Sequence, residues 1–201
     1  MERIVVALIV AIALSLGVHT KAATPICGDV EVSIDRMYEF VKNHNKTFPR
    51  EIAEAYYHIG KKYGVRGDIA LCQAILETGW FRFSDNTAVT YDQYNFCGLG
   101  VTANKERGHA FDSIEAGVTA QIQHLFAYGS NDDLPEGETI IDPRFSYVRR
   151  GSASTWEELN GRWAANRHYS DRILGLFYRM AERTIQIIEV DIPDEYWESE
   201  E

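Results

Sequence analysis

One carboxylate set into an apolar helix is the residue most suited to chemistry. From Ile69 to Trp80 the chain reads Ile-Ala-Leu-Cys-Gln-Ala-Ile-Leu-Glu-Thr-Gly-Trp. Its apolar side chains run round almost the whole circumference of a helix, which predicts a buried central element. Only Gln73 and Glu77 interrupt it, and their spacing puts them on one strip. Glu77 falls in the last turn, where the helix dipole opposes negative charge. Trp80, Phe81 and Phe83 follow and would exclude water. Burial and the dipole both favour the neutral acid. A carboxylic acid that keeps its proton near neutral pH is what glycoside cleavage needs to protonate the leaving oxygen. The competing reading is a structural ion pair of Glu77 with Arg66 or Arg82.

Other chemistries find less support. The six histidines (His19, His44, His58, His109, His124 and His168) do not cluster at metal-ligand spacing. No Gly-x-Ser-x-Gly elbow and no phosphate-cradling glycine loop occurs. Neither a metal nor a cofactor is expected. A cysteine nucleophile would have to be Cys97 with His109 or His124, since Cys72 lies within the buried helix. The charge of −10, from 30 acidic and 20 basic residues, argues against nucleic acid as a partner, because phosphate binding needs a basic surface.

The elements that position Glu77 read as mostly helical. Ile34, Met37, Tyr38 and Val41 follow helical spacing. A second helix starts near Pro49, turns Ile52, Ala55, Tyr56, Ile59 and Tyr63 inward, and ends at Gly64. Asp68 is the expected N-cap of the helix carrying Glu77, and Gly79 its end. Phe81–Phe96 is aromatic and polar without period, which suggests a loop lining a cleft. Leu99–Thr102 and His109–Phe111 form a candidate short hairpin about Ala103-Asn104-Lys105-Glu106. Asp112 with Glu115 reads as a capping box ahead of a helix striped with Val118, Ile122 and Leu125. Thr155 with Glu158 opens a short helix bearing Trp156, Leu159 and Trp163. The last long helix begins near Ser170, with Ile173, Leu174, Phe177, Met180 and Ala181 inward.

Several blocks, in order along the chain, resemble the glucosaminidase domains of glycoside hydrolase family 73. They are Arg66-Gly67-Asp68 through Glu77-Thr78-Gly79-Trp80, then Asn95-Phe96-Cys97-Gly98-Leu99-Gly100, then Ala120 to Leu125. Asp142-Pro143-Arg144-Phe145, Gly151-Ser152 and Thr155 through Trp163-Ala164 follow, ending near Tyr169. The resemblance spans roughly Ile34 to Phe177. It implies a mainly α, lysozyme-like α+β fold with a buried central helix and at most a short β-hairpin. It also implies cleavage of the β-1,4 bond after N-acetylglucosamine in peptidoglycan. The family's catalytic acid falls on Glu77 and its late assisting tyrosine on Tyr169. Its Asn-Phe-x-Gly segment falls on Asn95, Phe96 and Gly98, beside the acid. Gln73, Tyr94 and Trp163 complete the expected substrate-binding set. Of the other aromatics, Trp80, Tyr91 and Trp156 serve either sugar stacking or core packing. A lytic transglycosylase, a muramidase on the same fold, and a wall-binding module without turnover are the alternatives.

A second catalytic group is not evident. Glu106, Asp112, Asp85 and Asp92 are the carboxylates available near the cleft, and a substrate acetamido group is a further candidate nucleophile. Arg144, Arg149 and Arg150 form a basic patch that either meets stem-peptide carboxylates or is a solvated loop.

The ends of the chain differ from its middle. Arg3, the apolar run Ile4–Leu16 and the small residues of Thr20-Lys21-Ala22-Ala23 have the layout of a signal peptide over residues 1–23. The run is shorter than the roughly 20 apolar residues that span a bilayer. The expectation is therefore a monomer exported to the cell envelope or beyond. It would touch the membrane only through an uncleaved leader and would meet glycan strands of peptidoglycan as its partner. The catalytic domain is placed at 34–188 and an acidic tail at 189–201. Export permits disulfides. Of the three cysteines, Cys72 and Cys97 either bridge or remain core thiols, with Cys27 apart.

Overall fold

A computed structural model describes residues 22–84, 87–101 and 107–190, with only the backbone over 183–190. The expected leader to residue 21, the tail from 191, Asp85 and Glu106 lie outside the described residues. Five helices carry the body: α1 (Ile34–Lys42), α2 (Arg50–Tyr63), α3 (Gly67–Thr78), α4 (Ile114–Gly129) and α5 (Tyr169–Val190). Short 3-10 turns occupy Tyr91–Gln93, Phe145–Tyr147 and Glu157–Leu159.

Helix α3 is the axis. Every residue from Gly67 to Ile75, and Thr78, is buried. It packs against α1, α2, α4 and α5. Leu76 and Glu77 are its partly exposed residues, so the acid sits where the buried helix emerges. Gly79 ends α3 in the left-handed region, its N–H reaching the Ile75 carbonyl. The left-handed Gly64 ends α2 in the same way.

The start of α3 departs from expectation. Asp68 lies within the first turn and is fully buried. Its carboxylate accepts the backbone N–H groups of Glu31 at 2.9 Å and Val32 at 3.3 Å. It also pairs with Arg66 Nε at 3.0 Å. Asp68 thus ties the N-terminal lead-in to α3 from inside the first turn, where it also accepts Ile69 N at 3.0 Å, and the N-cap position falls on Arg66. Gly67 enters the helix because α2 passes too close for any side chain. A Cβ there would stand 2.0 Å from the Tyr56 carbonyl oxygen. Gly67→Ala is expected to cost about 3 kcal/mol of stability by forcing α2 and α3 apart. An unchanged urea midpoint would refute that approach distance.

Helix α4 is buried from Gly117 to Ala127, where a single apolar stripe was expected. Gln121, Gln123 and His124 are inside because they find partners. Gln123 donates to Tyr63 Oη at 2.9 Å and accepts from Ile141 N and Asp142 N. His124 Nδ1 lies 2.7 Å from Asp142 Oδ2. The cap is Ser113, whose hydroxyl accepts from Ala116 N, one residue beyond the expected Asp112.

Among the described residues, pairing is limited to isolated bridges between Pro25 and Thr155, Cys27 and Val65, and Asn160 and Ala164. Residues 102–106 of the candidate hairpin lie outside the described residues; between its described arms His109 N bonds to Leu99 O at 2.8 Å. The Asn95 amide reinforces this, since its Nδ2 donates to both the Leu99 and His109 carbonyls at 2.9 Å. A side chain therefore helps to clasp the two arms. Cys27, Cys72 and Cys97 are all free thiols.

Candidate active site

Glu77 is the end of a directed chain of hydrogen bonds. The Tyr169 hydroxyl, from the first residue of α5, donates to Glu77 Oε1 at 2.5 Å. That hydroxyl accepts from Gln73 Nε2 at 2.9 Å. Gln73 Oε1 accepts from Gln121 Nε2 at 2.8 Å, and Gln121 Oε1 accepts from the Tyr56 hydroxyl at 2.5 Å. Tyr56, Gln121 and Gln73 are fully buried and Tyr169 nearly so. Each member donates toward the acid, so successive bonds polarise one another. Gln73 and Tyr169 were expected here. Tyr56 and Gln121 were not.

The electrostatics of the acid follow from this packing. Burial pushes the Glu77 carboxyl above its ordinary range, against the opposing pull of the Tyr169 hydrogen bond and the Arg172 charge. Burial, and next the adjacent Glu77 charge, hold Tyr169 well above the usual phenol range, so it keeps its proton. The alternative ion pairs do not form. Arg66 binds Asp68 and Glu31, and Arg82 donates to the His44 carbonyl.

The chain after α3 is strained. Trp80, Phe81 and Phe83 all adopt positive φ, as does Tyr94 across the site. Such conformations cost of order 1 kcal/mol each in non-glycine residues and need outside support. Asn45 Nδ2 supplies it by donating to the Trp80 and Phe81 carbonyls at 3.0 and 3.2 Å. The Thr78 hydroxyl accepts from Phe81 N at 2.9 Å. Trp80 is thereby turned onto His44, ring on ring at 3.7 Å and 11°. A hollow of about 410 Å³ between α3 and α5 is lined by Leu76, Trp80, Arg172 and Arg179 among others.

The Tyr94–Gly100 segment lies near the acid, since the Glu77 charge acts on Cys97 within it. Asn95 and Phe96 are fully buried. Asn95 also accepts Leu99 N at 2.9 Å, so its amide is spent on holding the loop. Phe96 packs on Phe81 and Phe83. Tyr94, partly exposed, sits hard on α4, where a Cβ at Gly117 would meet the Tyr94 carbonyl oxygen at 1.8 Å. Gly98 and Trp163 line a hollow of about 150 Å³ with His124, Arg144 and Arg162. Trp163 stands edge-on to His124 at 5.0 Å. Cys97 lines the same hollow, and burial, then the charges of Glu77 and Asp142, keep its thiol protonated. That state does not suit a nucleophile.

Two of the remaining aromatics separate cleanly. Trp156 is core, fully buried. Tyr91 is 43 % exposed, beside Tyr94. Of the possible second carboxylates, Asp92 is exposed and its carboxyl is held low, first by the Thr90 hydroxyl. Asp112 is exposed ahead of α4.

Known proteins resemble this chain in sequence and in fold. A family model described as glucosaminidase, mannosyl-glycoprotein endo-beta-N-acetylglucosaminidase, matches residues 53–182. An uncharacterized protein of Borreliella burgdorferi is 36% identical over 138 residues, which are 69% of this chain and 66% of that protein. The chain thus spans just under two thirds of that relative. The structure of Staphylococcus aureus autolysin E, solved with the muropeptide NAM-L-Ala-D-iGlu, superposes with a TM-score of 0.54 at 14% identity. The match covers 81% of this chain and 72% of that one. A Listeria monocytogenes autolysin catalytic domain gives 0.42 at 17% identity, over 73% and 86%. The staphylococcal likeness shows a shared fold, the mainly helical lysozyme-like one.

Proposed function

The chain belongs to the glucosaminidase family, and from that premise we propose that it hydrolyses peptidoglycan glycan strands at the β-1,4 bond after N-acetylglucosamine, with Glu77 as general acid. The observation that carries this reading is the acid itself. It sits partly exposed at the end of a buried helix, burial raises its carboxyl above the ordinary range, and it is already bonded to Tyr169.

The geometry divides the work. Burial favours the protonated form of Glu77, the form that can give its proton to a glycosidic oxygen. As the bond to that oxygen breaks, negative charge grows on the carboxyl. The Tyr169 hydroxyl is already aimed at Oε1, so it stabilises that charge without rearranging. Gln73, backed by Gln121 and Tyr56, fixes the phenol. Gly98, Tyr94 and Trp163 offer the surface on which sugar rings lie, while Asn95 and Phe96 hold that surface from behind. The staphylococcal autolysin, whose structure contains a muropeptide, supports the substrate class, and the apolar run of residues 4–16 supports export to it.

Mass spectrometry of muropeptides released by the purified protein tests the reading. The expected products end in reducing N-acetylglucosamine. Reducing N-acetylmuramic acid would make it a muramidase, and anhydro ends a lytic transglycosylase. No release, with binding retained, would leave a wall-binding module.

A further inference from the structure

We propose that an arginine-lined hollow beside Trp163 is a carboxylate subsite for the peptide stem that alternate sugars of the strand carry. This rests on the peptidoglycan reading above. The hollow measures about 780 Å³ and is lined by Tyr128, Tyr147, Arg149, Arg150, Ser152 and Arg162 among others, with no acidic side chain in its wall. In a chain of net charge −10, that is a local reversal of sign.

The three arginines are not equivalent. Arg150 is committed to the wall: it donates to the Ser130 carbonyl at 3.0 Å and the Asp132 carbonyl at 2.6 Å, and lies over the Phe126 and Phe145 rings. Arg149 and Arg162 make no ion pair among the described residues. Arg162 lies near enough to Glu158 to help lower its carboxyl, but is not bonded to it. Two guanidinium forks thus remain available, and such forks match carboxylates with paired hydrogen bonds.

The hollow is held firmly and joins the cleft. Gly151 N donates to the Ala127 carbonyl at 3.0 Å and Ala153 N to the Tyr128 carbonyl at 3.1 Å, pinning the rim to α4. Tyr128 and Arg162 also line the smaller hollow of Gly98 and Trp163. A sugar lying on Trp163 would therefore pass its stem into the basic hollow, where the stem's free carboxylates meet Arg149 and Arg162.

Co-sedimentation with insoluble sacculi tests this without turnover, using Glu77→Gln as the parent. Sacculi are compared as isolated and after carbodiimide amidation of their carboxylates. Bulk charge predicts that an acidic protein binds the amidated, less negative sacculi better. The subsite predicts the opposite, a loss of about tenfold in affinity. Arg149→Gln in the same parent should show that loss on native sacculi and no further loss on amidated ones. Circular dichroism confirms its fold. Equal binding of the parent to both sacculi, tighter binding to the amidated ones, or an Arg149→Gln effect of the same size on each would overturn the proposal. Wild-type protein that binds with this selectivity yet releases no sugar would instead defeat the glycosidase reading alone.

Discussion

Glu77→Gln is expected to lower kcat on glycan strands by about a thousandfold, with KM nearly unchanged. The replacement keeps the side chain's size and an oxygen for Tyr169 to bond, so the cleft stays built. What it removes is the transferable proton. In the wild type, activity should fall as pH rises through the Glu77 pKa, because the ionised form cannot protonate the leaving oxygen. Burial places that limb above the ordinary carboxylate range, and the variant should lack it.

The same shift predicts a stability effect of opposite sign. The folded state binds the Glu77 proton more tightly than the unfolded chain does. Between the unfolded and folded pKa values the native state therefore holds more protons, and stability falls as pH rises across that window. Glutamine removes this cost, so Glu77→Gln should melt at or above the wild-type temperature near neutral pH. A variant that digests glycan at the wild-type rate would sink the assignment. One that melts far lower would show that lost activity reflects lost fold.

Local features of this architecture could be read directly from residue order. Helix α3, its all-round burial, and its end at Gly79 depend on side chains within a few positions of one another. Glu77 was conspicuous because it breaks that local pattern, as functional residues do. Tyr56 and Gln121 were not legible. They stand 65 positions apart, Tyr56 reading only as an inward core residue of α2, and only the packing of α2, α3 and α4 makes them one chain of hydrogen bonds. Asp68 misled for a related reason. An acidic residue ahead of an apolar run resembles a cap, and only the returning lead-in at Glu31 and Val32 shows what it binds. Asn95 was expected beside the acid as a substrate-binding residue, whereas its hydrogen bonds go to the backbone of Leu99 and His109. A polar residue in a recognisable motif does not reveal whether it faces the ligand or the protein.

The strained turn after Glu77 was likewise hidden. Nothing in Trp80-Phe81-Arg82-Phe83 announces left-handed backbone, and its support, Asn45, lies in the connection between α1 and α2. The strain is intelligible once the acid is considered. The left-handed turn folds Trp80 onto His44 and brings Phe81 and Phe83 onto Phe96, so the chain leaving the acid is packed and not splayed.

Tyr169→Phe separates two roles for the phenol. Its hydroxyl favours the charged form of Glu77, so its removal should raise the Glu77 pKa further and move the alkaline limb of kcat to higher pH. The proton would then be held more tightly and given up less readily. At the pH optimum kcat should drop by about a hundredfold, the scale of removing one donor aimed at developing charge. Stability should fall by about 1–3 kcal/mol, because Gln73 Nε2 loses its buried acceptor. The limb moves whether the phenol serves the acid or the attacking water, because its bond to Glu77 is lost in either case. The double variant Glu77→Gln, Tyr169→Phe decides between them. If the phenol works through the acid, adding Tyr169→Phe to Glu77→Gln should cost almost nothing more, since the two residues act as one unit. If it works on water, the two losses should multiply.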